Sequence, residues 1–212
     1  MISGFLSDRG RVCPVHRKEV VCMKDPYYPE IKPIDPQQVT IDTERSALLV
    51  LELSELCADP AYFAAPLVPG ITKLLEKARA AGTLTVFTVP HPFKGEPHGK
   101  VFSGFQRRPS EALFFPPGFD KFAGGQLQSL LSLYDIDTLL MIGCKANMAI
   151  LYTATRAVTE FNYKVVIPVD GITASTDYEK EYSLFQFRAY PGGVTESFTF
   201  TMLDRISFQS GG

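Results

Sequence analysis

From Ser46 onward, the chain alternates short, almost wholly apolar runs with longer segments whose apolar residues recur every three or four positions. The short runs predict strands buried on both faces, and the longer segments predict helices with one buried face. The predicted strands are 47–53, 83–89, 138–142, 164–169 and 197–201, and the predicted helices are 68–81, 125–134, 147–160 and 178–190. A loop rich in glycine, proline and phenylalanine is predicted between 90 and about 122.

This alternation predicts an α/β fold class: a three-layer αβα sandwich around a mostly parallel, doubly wound, Rossmann-like sheet. A length of 212 residues suits one such domain, which we place at 46–212. Residues 1–45 carry several prolines and few periodic apolar positions, so we expect an N-terminal extended arm packed on the domain or on a neighbouring subunit. A disordered arm is the alternative, although Tyr27, Tyr28 and Ile31 indicate some burial.

Composition narrows the classes of function. A net charge of −2 offers no basic surface for nucleic acid, and no apolar run approaches the roughly 20 residues of a membrane helix. The start of the chain does not resemble a secretory leader, and the four cysteines form no CxxC pair, so we expect reduced thiols in a cytoplasmic protein. Cys13, His16 and Cys22 fit no zinc spacing, and no phosphate-binding glycine motif is present, so we expect no metal and no cofactor.

Chemically active groups stand where two predicted inner strands end. Glu52 follows the first strand, and Gly143, Cys144 and Lys145 follow the third. Because open α/β sheets bind ligands at the carboxyl ends of their strands, we expect these groups to share one pocket for a small molecule. The phenylalanines of the long loop could line that pocket or pack against a second subunit.

Four segments resemble, in the same order, motifs of the isochorismatase-like hydrolases, also called the cysteine hydrolase family. They read Ala-Leu-Leu-Val-Leu-Glu-Leu at 47–53, Phe-Ala-Gly-Gly-Gln-Leu at 122–127, Ile-Gly-Cys-Lys-Ala-Asn-Met-Ala-Ile-Leu-Tyr-Thr-Ala at 142–154 and Tyr-Lys-Val-Val-Ile-Pro-Val-Asp at 163–170. The resemblance implies a homo-oligomer, as a dimer or tetramer, and hydrolysis through Asp, Lys and Cys. In the family the Cys thiolate attacks an amide or imide carbonyl, whereas members without the Cys protonate a vinyl ether.

This chain departs from the family pattern at all three catalytic positions. Glu52 stands at the Asp position, Pro116 at the Lys position and Ala149 at the Cys position. A methyl group cannot attack a carbonyl, so the alanine removes the covalent mechanism. Whether the chain is an enzyme therefore stays open at this point.

Glu52 is the strongest remaining candidate, as a general acid or base. Lys145 is the candidate for a relocated cation, with Lys121 as a second option, and surface exposure is the alternative for both lysines. Cys144 could be a shifted nucleophile, although packing as a small apolar residue is the favoured interpretation.

The remaining predicted pocket residues have less direct roles. Asn147 would cap the following helix or bond the turn, and His91 would add polarity at the pocket rim. The full set of predicted pocket residues is Cys144, Asn147, Ala149, His91, Phe122 and Pro116.

Three hypotheses follow from these residues. The first is a hydrolase that uses Glu52 as acid or base without a covalent intermediate. The second is a catalytically inactive family member that binds a small ligand or serves as an oligomeric partner. The third is an enzyme with Cys144 as a displaced nucleophile.

Overall fold

The computed structural model of the chain describes residues 31–191 and 193–211, apart from the side chain of His91. The strands are β1 (Val39–Asp42), β2 (Ser46–Leu51), β3 (Leu84–Thr88), β4 (Ala112–Phe114), β5 (Thr138–Cys144), β6 (Lys164–Pro168), β7 (Ile172–Thr173), β8 (Phe198–Thr201) and β9 (Ile206–Gln209). The α-helices are α1 (Val68–Ala80), α2 (Gln126–Leu133), α3 (Leu151–Phe161) and α4 (Asp177–Ala189). Short helical turns fill much of the segment between β3 and α2.

The main sheet is parallel and reverses its winding direction at its centre. Its strand order is β4-β3-β2-β5-β6-β8, with the short β7 paired to the end of β5. The chain runs outward from β2 to β4, then returns to β5 and runs outward on the other side. The carboxyl ends of β2 and β5 therefore meet at the point where the strand order reverses, which is where such sheets form a ligand crevice.

The side chains of β2 alternate between two separate hydrophobic cores. Leu49 and Leu51 pack in the core that includes residues of α2, α3 and α4. Leu48 and Val50 pack in the other core, with α1 and with the small parallel sheet of β1 and β9. Because β2 is completely buried, both faces must be covered, and the predicted three-layer αβα sandwich is confirmed.

Several short elements differ from the sequence predictions. β4 lies inside the segment that was predicted to be loop, and β1 lies inside the predicted arm. The helix predicted from 147 begins instead with a wide π-type turn at Ala146–Ile150, and regular α-helix starts only at Leu151. These short elements make too few local apolar repeats to be visible in the sequence pattern.

The described part of the predicted arm lies against the domain. The backbone N–H of Gln37 donates to the Phe200 carbonyl at 2.8 Å, and Arg188 donates to the Lys32 carbonyl at 2.6 Å. Ile34 packs against the main core. The boundary between arm and domain stays a prediction, and the interpretations of Cys13, His16, Cys22, Tyr27 and Tyr28 fall outside the described residues.

Within residues 31–191 and 193–211, none of the helices is both long and apolar enough to cross a bilayer. The cytoplasmic location stays a prediction.

Candidate functional site

Glu52 occupies an unusual backbone conformation directly after β2. Its φ is +55°, in the left-handed region that residues other than glycine adopt rarely. Its backbone N–H donates to the Thr88 carbonyl at 3.0 Å, which ties the residue to the end of β3. The side chain is 15% exposed and lines an apolar cavity at this end of the sheet. The backbone bend thus turns a carboxylate out of a wholly apolar strand and towards a cavity.

Lys121 forms the ion pair with Glu52. Its side chain is completely buried, and its ammonium donates to the Glu52 carboxylate and to the Gly118 carbonyl, the latter at 3.0 Å. Its backbone N–H donates to the Thr153 hydroxyl oxygen at 3.0 Å, which attaches the loop before α2 to α3. A buried ammonium needs such partners, because burying an unpaired charge is very costly.

This pairing corrects the expectation for the cation. Lys145 was placed first and Lys121 second, with surface exposure as the alternative for each. Lys121 is buried and bonded to Glu52, five residues after Pro116, the residue expected at the family's Lys position. An ammonium therefore reaches the acid from a different point in the same loop.

Lys145 is a second charged residue of the cavity lining. Its ammonium is 5.3 Å from the centroid of the Phe63 ring, a cation–π contact. Among the described residues, no carboxylate lies within 4.0 Å of this ammonium. Lys145 lines the cavity, as predicted for its neighbourhood, but it does not form the ion pair with Glu52.

The end of β5 brings the Cys144 side chain to the backbone of Glu52. Gly143 has a φ of +120°, and a Cβ there would stand 2.0 Å from the Leu51 carbonyl oxygen, so only glycine fits. The peptide between Cys144 and Lys145 is cis. The Cys144 thiol donates to the Glu52 carbonyl oxygen at 3.2 Å.

The Cys144 thiol is unsuited to nucleophilic attack. Burial, and secondarily the negative charge of Glu52, raise the pKa of this thiol far above its usual range. Burial likewise raises the pKa of the Cys57 thiol to about 11. Since the thiolate is the nucleophile, these environments favour packing over catalysis for both residues.

Two of the predicted pocket residues belong to the core instead. Ala149, the residue expected at the family's Cys position, is completely buried among the apolar residues on the α3 side of the sheet. Phe122 is nearly completely buried and packs on the rings of Phe161 and Tyr163, with centroid distances of 4.8 Å and 6.0 Å. Neither residue lines the cavity beside Glu52.

The other predicted residues have mixed outcomes. Pro116 lines the cavity beside Glu52. Asn147 does not cap a helix: its side-chain oxygen is buried and has no hydrogen-bond partner among the described residues. The side chain of His91 lies outside the described part of the structure.

The cavity has a volume of about 570 Å³, within the range of roughly 300–1,000 Å³ that is typical of small-molecule sites. Its lining is mainly aromatic and proline, with few polar groups. The aromatic residues are Tyr62, Phe63, Phe93 and Phe119, and the prolines are Pro90, Pro92, Pro116 and Pro117. Phe93 and Phe119 belong to the loop phenylalanines that were predicted as possible lining, whereas Tyr62 and Phe63 were not predicted.

Tyr62 adds a hydrogen-bonding group to this apolar lining. Burial raises the pKa of its hydroxyl well above the usual range, and the neighbouring Cys144, Cys57 and Glu52 add to the shift. The hydroxyl therefore stays protonated at neutral pH and can donate a hydrogen bond to a ligand.

The described residues do not offer a metal site. No three of their His, Cys, Asp and Glu side chains are grouped so that they could hold a metal ion. The cavity presents a carboxylate held by an ammonium.

Comparison with known proteins identifies the family. A model of the isochorismatase domain matches residues 46–197, while no curated protein sequence matches the chain. An isochorismatase family protein from Desulfovibrio vulgaris has a TM-score of 0.66 at 24% identity, over 76% of this chain and 95% of that one. N-carbamoylsarcosine amidase from Thermoplasma acidophilum has a TM-score of 0.63 at 19% identity, over 76% and 97% of the two chains.

A nicotinamidase from Staphylococcus aureus has a TM-score of 0.63 at 18% identity, over 75% of this chain and 99% of that one. At such identities the solved structures show the fold alone, whereas the family match covers most of the chain. This chain therefore belongs to the isochorismatase family and has the α/β fold of that family's hydrolases.

Proposed function

We propose that this protein hydrolyses a small molecule, at an amide or imide C–N bond or at a vinyl ether, without a covalent enzyme intermediate. Glu52 is the acid and base of the reaction. The observation that carries the proposal is the ion pair between Glu52 and the buried Lys121 at the edge of an apolar cavity of about 570 Å³. Catalytic carboxylates are commonly held in this way, in a site that excludes most water.

In amide hydrolysis, the Glu52 carboxylate takes a proton from a water molecule as the water oxygen attacks the carbonyl carbon. Glu52 then gives that proton to the leaving nitrogen as the C–N bond breaks, which yields a carboxylic acid and an amine. In vinyl ether hydrolysis, the protonated Glu52 first protonates the terminal vinyl carbon, which leaves a positive charge on the carbon bonded to the ether oxygen. Water adds to that carbon and gives a proton to the Glu52 carboxylate, and the resulting hemiketal breaks its C–O bond to yield a carbonyl compound and an alcohol. Lys121 orients the carboxylate and stabilises its charge in both cases.

Turnover of a panel of amides, cyclic imides and vinyl ethers tests this proposal. Glu52→Gln keeps the shape of the side chain but cannot carry the proton, and we expect kcat to fall at least about 100-fold. Glu76→Gln is the matched control, because Glu76 is an exposed glutamate on α1. Undiminished turnover in Glu52→Gln would refute the role of Glu52.

The absence of a covalent intermediate has its own readout. Mass spectrometry of the protein quenched during turnover should show only the unmodified chain. An adduct on Cys144 would instead support the displaced-nucleophile hypothesis.

The alternative function is a catalytically inactive relative that binds a small ligand or serves as an oligomeric partner. It is favoured by Ala149, which leaves the family's attacking position without a nucleophile. Ligand binding without turnover of any member of the panel would favour this alternative.

We also propose that the protein is a homo-oligomer. Helix α4 presents an exposed aromatic stripe at one-face spacing, formed by Tyr178, Tyr182 and Phe185. Size-exclusion chromatography with light scattering tests this, and a monomer at all concentrations would contradict it.

A further inference from the structure

We propose that the cavity beside Glu52 takes a small molecule that combines a flat apolar body with a carboxylate, and that Lys145 binds this carboxylate. The inference rests on the proposed function, because it names the substrate class of the same site. It stands on the distribution of charge and of aromatic surface in the cavity.

The charges around the cavity do not cancel. The Glu52 carboxylate is neutralised by the ammonium of Lys121. Lys145 lines the cavity, and no carboxylate of the described residues lies within 4.0 Å of its ammonium. The other basic residue of the described lining is His98. The described lining therefore carries the uncompensated positive charge of Lys145, which favours an anionic ligand.

The geometry of Lys145 leaves it able to bind such a ligand. Its ammonium lies 5.3 Å from the centroid of the Phe63 ring, and this contact fixes the position of the charge without using its hydrogen-bond donors. An ammonium has three N–H groups, and each can donate a hydrogen bond to a carboxylate on the ligand. The aromatic ring thus holds the cation at the cavity while its donors stay available.

The residues that line the cavity favour a ligand with a flat, apolar body. Phe93 and Phe119 line the cavity and are 45% and 53% exposed, although large apolar side chains are usually covered in a folded protein. Aromatic rings in these positions bind flat ligands by stacking, and the neighbouring prolines add rigid apolar surface. A ring system bound between them would remove this exposed surface from water.

The charged group and the reacting bond must be close together in the ligand. Lys145 directly follows Cys144, whose thiol donates to the Glu52 carbonyl oxygen at 3.2 Å. The two ends of the site, Lys145 and the Glu52 carboxylate, therefore extend from adjacent backbone segments. We infer a carboxylate only a few bonds away from the bond that is cleaved.

Two probes of matched shape test the charge requirement: 2-naphthoate and its neutral isostere 2-acetylnaphthalene, which has no hydrolysable bond. Their dissociation constants are measured by isothermal titration calorimetry at pH 8 and low salt. We expect 2-naphthoate to bind at least about tenfold more tightly than the ketone, because only the anion forms a charge-assisted hydrogen bond. Equal binding, tighter binding of the ketone or no binding of either probe would overturn the proposal.

The Lys145→Met variant assigns the preference to one residue. We expect the ratio of the two dissociation constants to fall to about one in Lys145→Met. The matched control is Lys100→Met, because Lys100 is exposed and does not line this cavity, and there the tenfold ratio should persist. A preference for the anion that survives Lys145→Met would assign the binding to another group and overturn the proposal.

These measurements are independent of turnover, because neither probe is hydrolysed. If the proposed hydrolysis fails while 2-naphthoate is still preferred through Lys145, the site is a binding site for carboxylates. If hydrolysis is found but the preference is absent, only the substrate class is wrong.

Discussion

Replacing Lys121 by Met should destabilise the protein strongly, although Met has a similar length and is more apolar. The substitution removes the buried ammonium but leaves the Glu52 carboxylate beside the core without its partner. The backbone bond from residue 121 to Thr153 does not depend on the side chain and should persist. The expected loss therefore reports on the unpaired charge rather than on disrupted packing.

The structure sets the size of this effect. Removing one partner of a fully buried ion pair typically costs about 3–5 kcal/mol. Glu52 is 15% exposed towards the cavity, so water can partly solvate the orphaned carboxylate. We therefore expect the free energy of unfolding to fall by about 2–3 kcal/mol, which corresponds to a fall of about 5–10 °C in Tm for a domain of this size.

Urea unfolding followed by circular dichroism measures this free energy, since the chain contains no tryptophan for a fluorescence probe. Lys77→Met on the exposed face of α1 is the matched control and should change it by less than about 0.5 kcal/mol. The double variant Glu52→Gln with Lys121→Met should lose at least about 1 kcal/mol less than the sum of the two single variants, because no charge is left unpaired. A Lys121→Met variant as stable as the control, or strictly additive effects, would refute the reasoning.

Three further predictions concern the turn, a second ion pair and the thiol. Gly143→Ala should lower the free energy of unfolding by more than about 4 kcal/mol or prevent folding, because its Cβ would overlap a backbone oxygen. The control Gly82→Ala, whose Cβ would have nothing within 4 Å, should lower it by only about 1–2 kcal/mol in urea unfolding. Burial alone would raise the pKa of Glu111, but the hydrogen bonds and charge of Arg79 outweigh it and lower that pKa in the folded state. The contribution of ionised Glu111 to the free energy of unfolding is thus present at neutral pH and lost as the pH falls. The difference in stability between Glu111→Gln and the unsubstituted protein should therefore shrink below about pH 4. A constant difference in urea unfolding from pH 7 to 3 would contradict this. Iodoacetamide at pH 8 should label Cys144 at least about 100-fold more slowly in the folded protein than in urea, as mapped by mass spectrometry. Rapid labelling that tracks loss of activity would instead support Cys144 as a nucleophile.

The main elements of the fold were predictable because their signals are local. The run at β2 is apolar at every position after Ser46, and α1 repeats its apolar residues at Ile71, Leu74, Leu75 and Ala78. Such patterns indicate how many faces of an element are buried, and they do not depend on which other elements it packs against. The pairing of β1 with β9 was missed, since it joins segments more than 160 residues apart that carry little periodicity of their own.

The candidate site was predictable only in part. Glu52 and the turn at Gly143 stand at strand ends, and the parallel sheet places such ends along one edge. Lys121 was ranked below Lys145, and surface exposure was the alternative for both lysines. Its burial depends on how the long segment between β3 and α2 folds back over the sheet.

The sequence by itself determined the layered parallel fold, the family and the acid at the end of β2, because these follow from local pattern and residue identity. Only the tertiary structure decided which cation pairs with Glu52, that the Cys144 thiol is buried, and that aromatic rings and Lys145 surround one cavity. The physical reason is that charge pairing and burial depend on distances between atoms far apart in the chain. Those distances exist only after the sheet has brought the strand ends and the long loop together.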